Sequence, residues 1–313
     1  MRRAVCGVVA AIVGCADGQA TTPSPPPPPP SPSPIHVPGQ SYFGEHSYIE
    51  YIAGNAPVIL TAPHGGADRP SALPVRGCGT NVRDTNTEEM ARAVASAYHD
   101  RFGRYPHVVI NRLHRDRLDA NRDSLEASCG HRGAGAAWRD FHAFVELAKA
   151  RVAIDHGRGF LVDLHGHGHA IQRLELGYLL PGSTLDRPDS ELDRDPSLPD
   201  RSSVREIARI AGALPFSSIL RGPTSLGTLL AAAGYPAVPS RSDPGPMGAD
   251  YFTGGYITDR HGCRGGGVAC AVQVEAHFTG VRDSETNRAA FARGFVAALA
   301  QFLRASWGLD LAA

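Results

Sequence analysis

The chain has 313 residues, 42% of them apolar, which is enough for one large core or two small ones. Thirty-one lysines and arginines balance 31 aspartates and glutamates, so the formal net charge is zero. With that balance, no electrostatic footprint for nucleic acid or a membrane stands out.

The chain opens with a leader pattern. Arg2 and Arg3 precede an apolar stretch from Ala4 to Gly14, too short for a permanent bilayer span. Residues 1–20 therefore read as a signal peptide. Ile12-Val13-Gly14-Cys15 resembles a relaxed lipobox, which would place a lipid on Cys15, whereas Gly18-Gln19-Ala20 offers ordinary cleavage before Thr21. Residues 21–40 are a proline-rich linker, a stiff spacer rising about 3.1 Å per residue. Residues 41–313 read as a single catalytic α/β domain.

Within it, Val58–Thr61 reads as a strand. Thr87–Phe102 has helical spacing, with Met90, Ala93, Val94, Ala97 and Tyr98 on one face. His107–Asn111 is a second strand. Ala136–His156 is a long helix with a Trp138, Phe141, Val145, Ala148, Val152 stripe, ended by Gly157. Strands follow at Phe160–Leu164 and Leu176–Leu180, then a polar, Pro-rich surface loop over Pro181–Asp200. Ser202–Ala211 and Ser225–Ala233 read as helices, Ala269–Val274 as a late buried strand, and Ser284–Ser306 as a final helix capped by Asp283. This alternation predicts a mixed, mostly parallel sheet with helices on both faces.

Two peptides carry the chemistry: Ala62-Pro63-His64-Gly65-Gly66 and Asp163-Leu164-His165-Gly166-His167-Gly168-His169. Each follows a strand, and ligands of open α/β sheets sit beyond the carboxyl ends of strands. His64 and His165 are candidate metal ligands, and Asp163, two residues before His165, can orient its imidazole. A third ligand should be a carboxylate: Asp84, which could instead cap the helix after it, or Glu88. His167 and His169 are a weaker metal pair in a Gly-rich loop. Glu275 ends an apolar strand, where a carboxylate is costly unless paired or used; it can act as general base or sit in a salt bridge. Arg112, Arg115, Arg117 and Arg122 follow another strand, and the pairs Asn111-Arg112 and Asn121-Arg122 suggest a clamp for a substrate carboxylate. The same arginines could form internal ion pairs with Asp116, Asp119 and Asp123. Tyr256, in a Gly-flanked loop, could close over substrate or be an ordinary loop aromatic. A His/His/carboxylate set suits Zn²⁺.

Six cysteines are present, and setting aside Cys6 and Cys15 leaves four. An even number in an exported chain predicts two disulfides, with Cys78–Cys129 and Cys263–Cys270 the favoured pairing.

Taken together, the Pro63-His64-Gly65-Gly66 turn, Asp84-x-x-Thr87, Asn121-Arg122, Asp163-Leu164-His165-Gly166, Gly254-Gly255-Tyr256 and Glu275 resemble the N-formylglutamate amidohydrolase family, related in fold to zinc carboxypeptidases. The resemblance runs from about residue 45 to about residue 305. It implies a three-layer α/β/α sandwich of phosphorylase/hydrolase-like type and one catalytic zinc. It implies His64, His165 and Asp84 as ligands, Glu275 as general base, Asn121 and Arg122 on the substrate carboxylate, and Tyr256 as a mobile tyrosine. Ala67 stands where zinc carboxypeptidases carry their carboxylate ligand, so the third ligand comes from elsewhere. The leader, linker and cysteines depart from a cytosolic histidine-degradation enzyme and point outside the cytoplasm. The expectation is an exported, zinc-dependent amidohydrolase of a small carboxylate-bearing N-acyl amino acid, meeting a membrane only through a lipid anchor. The alternatives are a carboxypeptidase or peptidoglycan peptidase on the same scaffold, or a metal- or ligand-binding lipoprotein without catalysis.

Overall fold

The computed structural model describes Met1, residues 36–212 and residues 214–312. The leader and most of the linker lie outside the described residues. Among those described, eight strands form one sheet: β1 (Ser41–Phe43), β2 (Ile49–Ile52), β3 (Val58–Ala62), β4 (His107–Asn111), β5 (Gly159–Gly166), β6 (Leu174–Gly177), β7 (Ala237–Val238) and β8 (Ala269–Ala276). Their order is β1-β2-β4-β3-β5-β8-β6-β7. The central β4, β3, β5 and β8 run parallel. β2 is antiparallel to β4 and β1 to β2, while β6 is antiparallel to β8 and carries β7 parallel to itself.

Parallel strands covered on both faces should be apolar without interruption. Val58–Ala62 and Phe160–Leu164 are, with only Thr61 and Asp163 as polar exceptions, both buried. Period-two alternation splits these residues between two cores. Val58, Leu60, Phe160, Val162, Val272 and Val274 face one layer, built from α1 (Thr87–Phe102) and the C-terminal helix. Ile59, Val109, Leu161 and Ala271 face the other, built by the long helix over 132–156. Between them, α2 (Ser124–Ser128) is one short turn, and α3 (Arg132–His156) buries Trp138, Phe141, Val145, Ala148 and Val152. The architecture is therefore the expected α/β/α sandwich with a mixed sheet and a parallel centre.

Several boundaries differ from expectation. α3 starts at Arg132, because the His131 side chain accepts the Ala134 N–H and caps it one turn earlier. The 181–200 segment is not a plain loop. It holds α4 (Gly182–Leu185), α5 (Asp189–Arg194) and α6 (Leu198–Arg201), which bury Leu185, Leu192 and Leu198, one apolar anchor each. After it come α7 (Arg205–Ala211), α8 (Phe216–Arg221) and α9 (Leu226–Ala232). The segment after Gly255 is also helical, as α10 (Tyr256–His261). The final helix, α11 (Glu285–Trp307), is capped by Ser284 rather than Asp283, the Ser284 hydroxyl accepting the Asn287 N–H.

Both expected disulfides are formed, Cys78–Cys129 and Cys263–Cys270, with Cα separations of 6.0 and 4.5 Å. The first matters for the site. The 63–86 segment between β3 and α1 has little regular structure, and this bridge ties it to the end of α2. Arg76, buried beside the bridge, reinforces the tie by donating to the carbonyls of Thr80, Arg115 and Glu126.

A candidate metal centre at the carboxyl edge of the sheet

His64 lies two residues beyond β3. The turn that aims it needs Gly65 and Gly66, since a Cβ at Gly65 would meet the Glu88 backbone and one at Gly66 the Arg112 carbonyl. Asp163, His165, Gln273 and Glu275 occupy alternate positions of β5 and β8, on the same face as Leu161 and Ala271. Asp163 pairs with Gln273 and His165 with Glu275 across the two strands. Asp84 enters from the 63–86 segment, its N–H bonded to the His64 carbonyl at 3.1 Å.

These elements bring three donors together. His64 Nδ1 lies 3.3 Å, and His165 Nδ1 3.2 Å, from Asp84 Oδ2. The far side of each imidazole is held by a second carboxylate: His64 Nε2 is 2.6 Å from Asp119 Oδ1, and His165 Nε2 is 2.8 Å from Asp163 Oδ2. Thr61 donates to the other Asp163 oxygen at 2.6 Å. A ring nitrogen that donates to a carboxylate leaves the opposite nitrogen as a lone pair, the arrangement metal-bound histidines use. His64, Asp84 and His165 thus fit a divalent cation in donor type, convergence and outer support.

The electrostatics agree. Asp84, Asp119, Asp163 and Glu275 are all buried here, with Arg115 as the permanent cation against Asp84 (3.4 Å) and Asp119 (3.0 Å). Burial opposes ionisation of Asp84, but His64 and His165 outweigh it and hold the carboxyl well below its usual range. Burial likewise opposes charge on His165, yet Asp163, Asp84 and Glu275 raise its affinity for a proton. The cluster therefore calls for positive charge at the place where the imidazole lone pairs point.

Glu275 stands apart from the donor set. Its Oε1 is 4.0 Å from His165 Nδ1 and accepts a 2.8 Å hydrogen bond from Gln273 Nε2. Burial pushes its carboxyl up to about 7, with Asp84 and Glu175 adding to the rise and the histidines opposing it. A cavity of about 190 Å³ opens over these groups. His64, Asp84, His165 and Glu275 form its floor, and Asn121, Arg115, Arg122, Thr80 and Phe252 line its sides.

The expected residues do not all meet here. Asn121 reaches the cavity, with its Oδ1 accepting the Ile257 N–H (2.8 Å) and its Nδ2 3.3 Å from His165 Nε2. Arg122 lines the rim, braced on Glu126 at 3.1 Å. Arg112 does not reach it: Asn111 turns inward to the Pro63 carbonyl, and the next side chain points away to the Ser47 carbonyl and the Phe43 ring. Tyr256 also lies outside the cavity. As the first residue of α10 it turns toward α3, packs near Trp138 and His142, and accepts a 3.0 Å bond from Arg260. Glu88 turns to Arg92 at 2.8 Å. His167 and His169 gather around Glu175 instead. His169 Nδ1 is 2.8 Å from that carboxylate, while His167 binds the Arg173 carbonyl at 2.8 Å and accepts the His169 N–H. Asp119, Gln273 and Phe252 are additions. The sequence offered Asp119 only as an ion-pair partner of the neighbouring arginines, and nothing local marked Phe252.

No known family profile matches the chain, and no curated protein sequence does. Solved structures resemble it. The gene product Atu2144 from Agrobacterium tumefaciens superposes with a TM-score of 0.50 at 16% identity, over 82% of this chain and 93% of that one. N-formylglutamate amidohydrolase from Ralstonia eutropha JMP134 gives 0.48 at 13% identity, over 87% and 97%. Succinylglutamate desuccinylase from Chromobacterium violaceum gives 0.35 at 13% identity, over 88% and 72%. The likeness to the first is one of fold.

Proposed function

We propose that the chain is a zinc-dependent amidohydrolase of a small N-acyl amino acid, acting outside the cytoplasm. The observation that carries this reading is the convergence of His64 Nδ1 and His165 Nδ1 on Asp84, each imidazole backed by its own carboxylate, beside a buried Glu275. His64, Asp84 and His165 would hold the zinc. When bound, the ion would polarise the scissile carbonyl and make water more acidic.

The chain's own groups supply the rest. Glu275, with a carboxyl poised near neutrality, is suited to take a proton from water and return it to the leaving amine nitrogen. Gln273 fixes the orientation of that carboxylate. Arg122 and Asn121, which both line the cavity, would receive the substrate carboxylate, and Arg115 steadies Asp84 and Asp119. Tyr256 and Arg112 have no part in this arrangement. The cavity of about 190 Å³ is smaller than drug-sized pockets of roughly 300–1,000 Å³, which favours a single acylated residue over an extended chain. Two disulfides support an oxidising compartment.

The test pairs metal analysis with turnover on N-acyl amino acids and peptides. Glu275→Gln should keep one zinc per chain and lose turnover by about 10²–10⁴-fold. Full activity in that variant would remove Glu275 as base. Zinc with no turnover of any amide would favour a binding protein.

A further inference from the structure

Beyond the metal centre, one feature of the cavity is built at some expense and has no part in the chemistry above. Glu175 of β6 is fully buried and lies directly opposite Glu275 of β8 in the strand register. A buried carboxylate is unfavourable unless its oxygens are engaged. Both are, one by Phe252 and the other by the imidazole that stacks on it. Oε2 accepts the Phe252 backbone N–H at 2.8 Å, and Oε1 binds His169 Nδ1 at 2.8 Å. The His169 imidazole in turn stacks on the Phe252 ring, with centroids 4.7 Å apart and planes 14° apart. The ring is thus fixed through its backbone and through one face, yet it lines the cavity and stays 43% exposed. Scattered exposed apolar side chains need no explanation. A ring clamped by a buried carboxylate at the mouth of a cavity does.

We propose that Phe252 is a stacking platform for a flat apolar acyl group, so that the ligand class is N-aroyl or N-arylacetyl amino acids. Contacts supply the direction. Arg115 is held against Asp84 and Asp119 on the His64 side of the site, whereas Phe252 is anchored to Glu175 of β6, on the far side of Glu275. A substrate with its carboxylate at the arginines and its carbonyl at the centre must send its acyl group toward β6. Phe252 is anchored one strand spacing beyond Glu275, about 5 Å. The acyl group then meets the exposed part of the ring, where offset stacking adds to area burial. This inference rests on the amidohydrolase reading for the orientation of the ligand, but not for the presence of the platform.

The test is calorimetric binding of N-phenylacetylglutamate and N-formylglutamate to the zinc-loaded full chain. An E275Q background prevents consumption of the ligands. With Phe252 present, the arylacetyl ligand should bind at least about tenfold tighter than the formyl one. F252A should collapse that ratio, and F252W, which keeps a flat face, should preserve it. An unchanged ratio in F252A, or no binding of the arylacetyl ligand to the parent, overturns the platform. Turnover measured with Glu275 intact separates the two ideas. Selective binding without hydrolysis removes the amidohydrolase reading and leaves the platform, whereas hydrolysis of both ligands without selectivity does the reverse.

Discussion

His64 and His165 stand out as candidate ligands from a few residues each, because each is a histidine beside glycine at the carboxyl end of a strand. Asp84 was harder, since an aspartate before a helix is an ordinary cap. In the structure Asn86 occupies the cap position and the Asp84 side chain turns to both imidazoles. Asp119 was hidden among arginine–aspartate neighbours that read equally well as surface ion pairs. Its partner His64 is 55 positions away, and no local pattern links them. Its role is nevertheless specific. Burial opposes its charge, but His64, Arg115 and Arg122 hold its carboxyl well below the usual range, so it stays an anion against the outer nitrogen of His64. Such outer carboxylates raise ligand basicity and fix the ring, and their loss costs about 10–100-fold in metal affinity. Asp119→Asn should therefore weaken zinc binding by that factor in competition with a chromophoric chelator. Unchanged affinity would show that His64 is held by packing alone.

At the scale of elements, strongly periodic segments were legible and sparsely apolar ones were not. The 87–102 helix and the 107–111 strand match their expected bounds, because each presents a continuous apolar face. β5 and β8 each run two residues further than expected at their carboxyl ends, and those residues include His165 and Glu275: the polar side chains of the candidate site interrupt the apolar signal there. The helices between 182 and 201 escaped because one leucine apiece sets no period. The 63–86 segment is the opposite case, with little secondary structure but a decisive position. It carries Thr80 and Asp84, and Cys78–Cys129, spanning a 51-residue separation, ties it down just before them. Chain-entropy arguments give such a bridge about 4 kcal/mol, against about 2–3 kcal/mol for the seven-residue separation of Cys263–Cys270. Replacing Cys78 and Cys129 by serine should therefore lower the urea midpoint more, and it alone should also weaken zinc binding, because Asp84 loses its tether. Equal zinc affinity in both double variants would mean that Arg76 and the Asp84–His64 backbone bond suffice.

At the scale of the whole molecule, stability should depend on acid through groups far from the candidate metal centre. His107 is the clearest. It is buried at the start of β4, where its Nδ1 accepts the Gly54 N–H at 3.1 Å and faces the Tyr51 hydroxyl at 2.8 Å. That nitrogen cannot take a proton without losing an acceptor, and burial pushes the imidazole down to about 4. The unfolded chain binds its proton near pH 6.5. Between pH 6.5 and 4 the unfolded state therefore holds more protons than the folded one, and stability falls as pH falls through that window. At pH 5 the loss from this group is on the order of 2 kcal/mol relative to pH 7.5. His107→Asn keeps an acceptor near the Nδ1 position but cannot titrate. The variant will be less stable at neutral pH through lost packing, so the informative quantity is the change between pH 7.5 and pH 5, read from urea unfolding of the metal-free protein. The wild type should lose about 2 kcal/mol more than the variant over that interval. Equal losses would mean that His107 titrates normally and that β2 and β4 open around it before the core does.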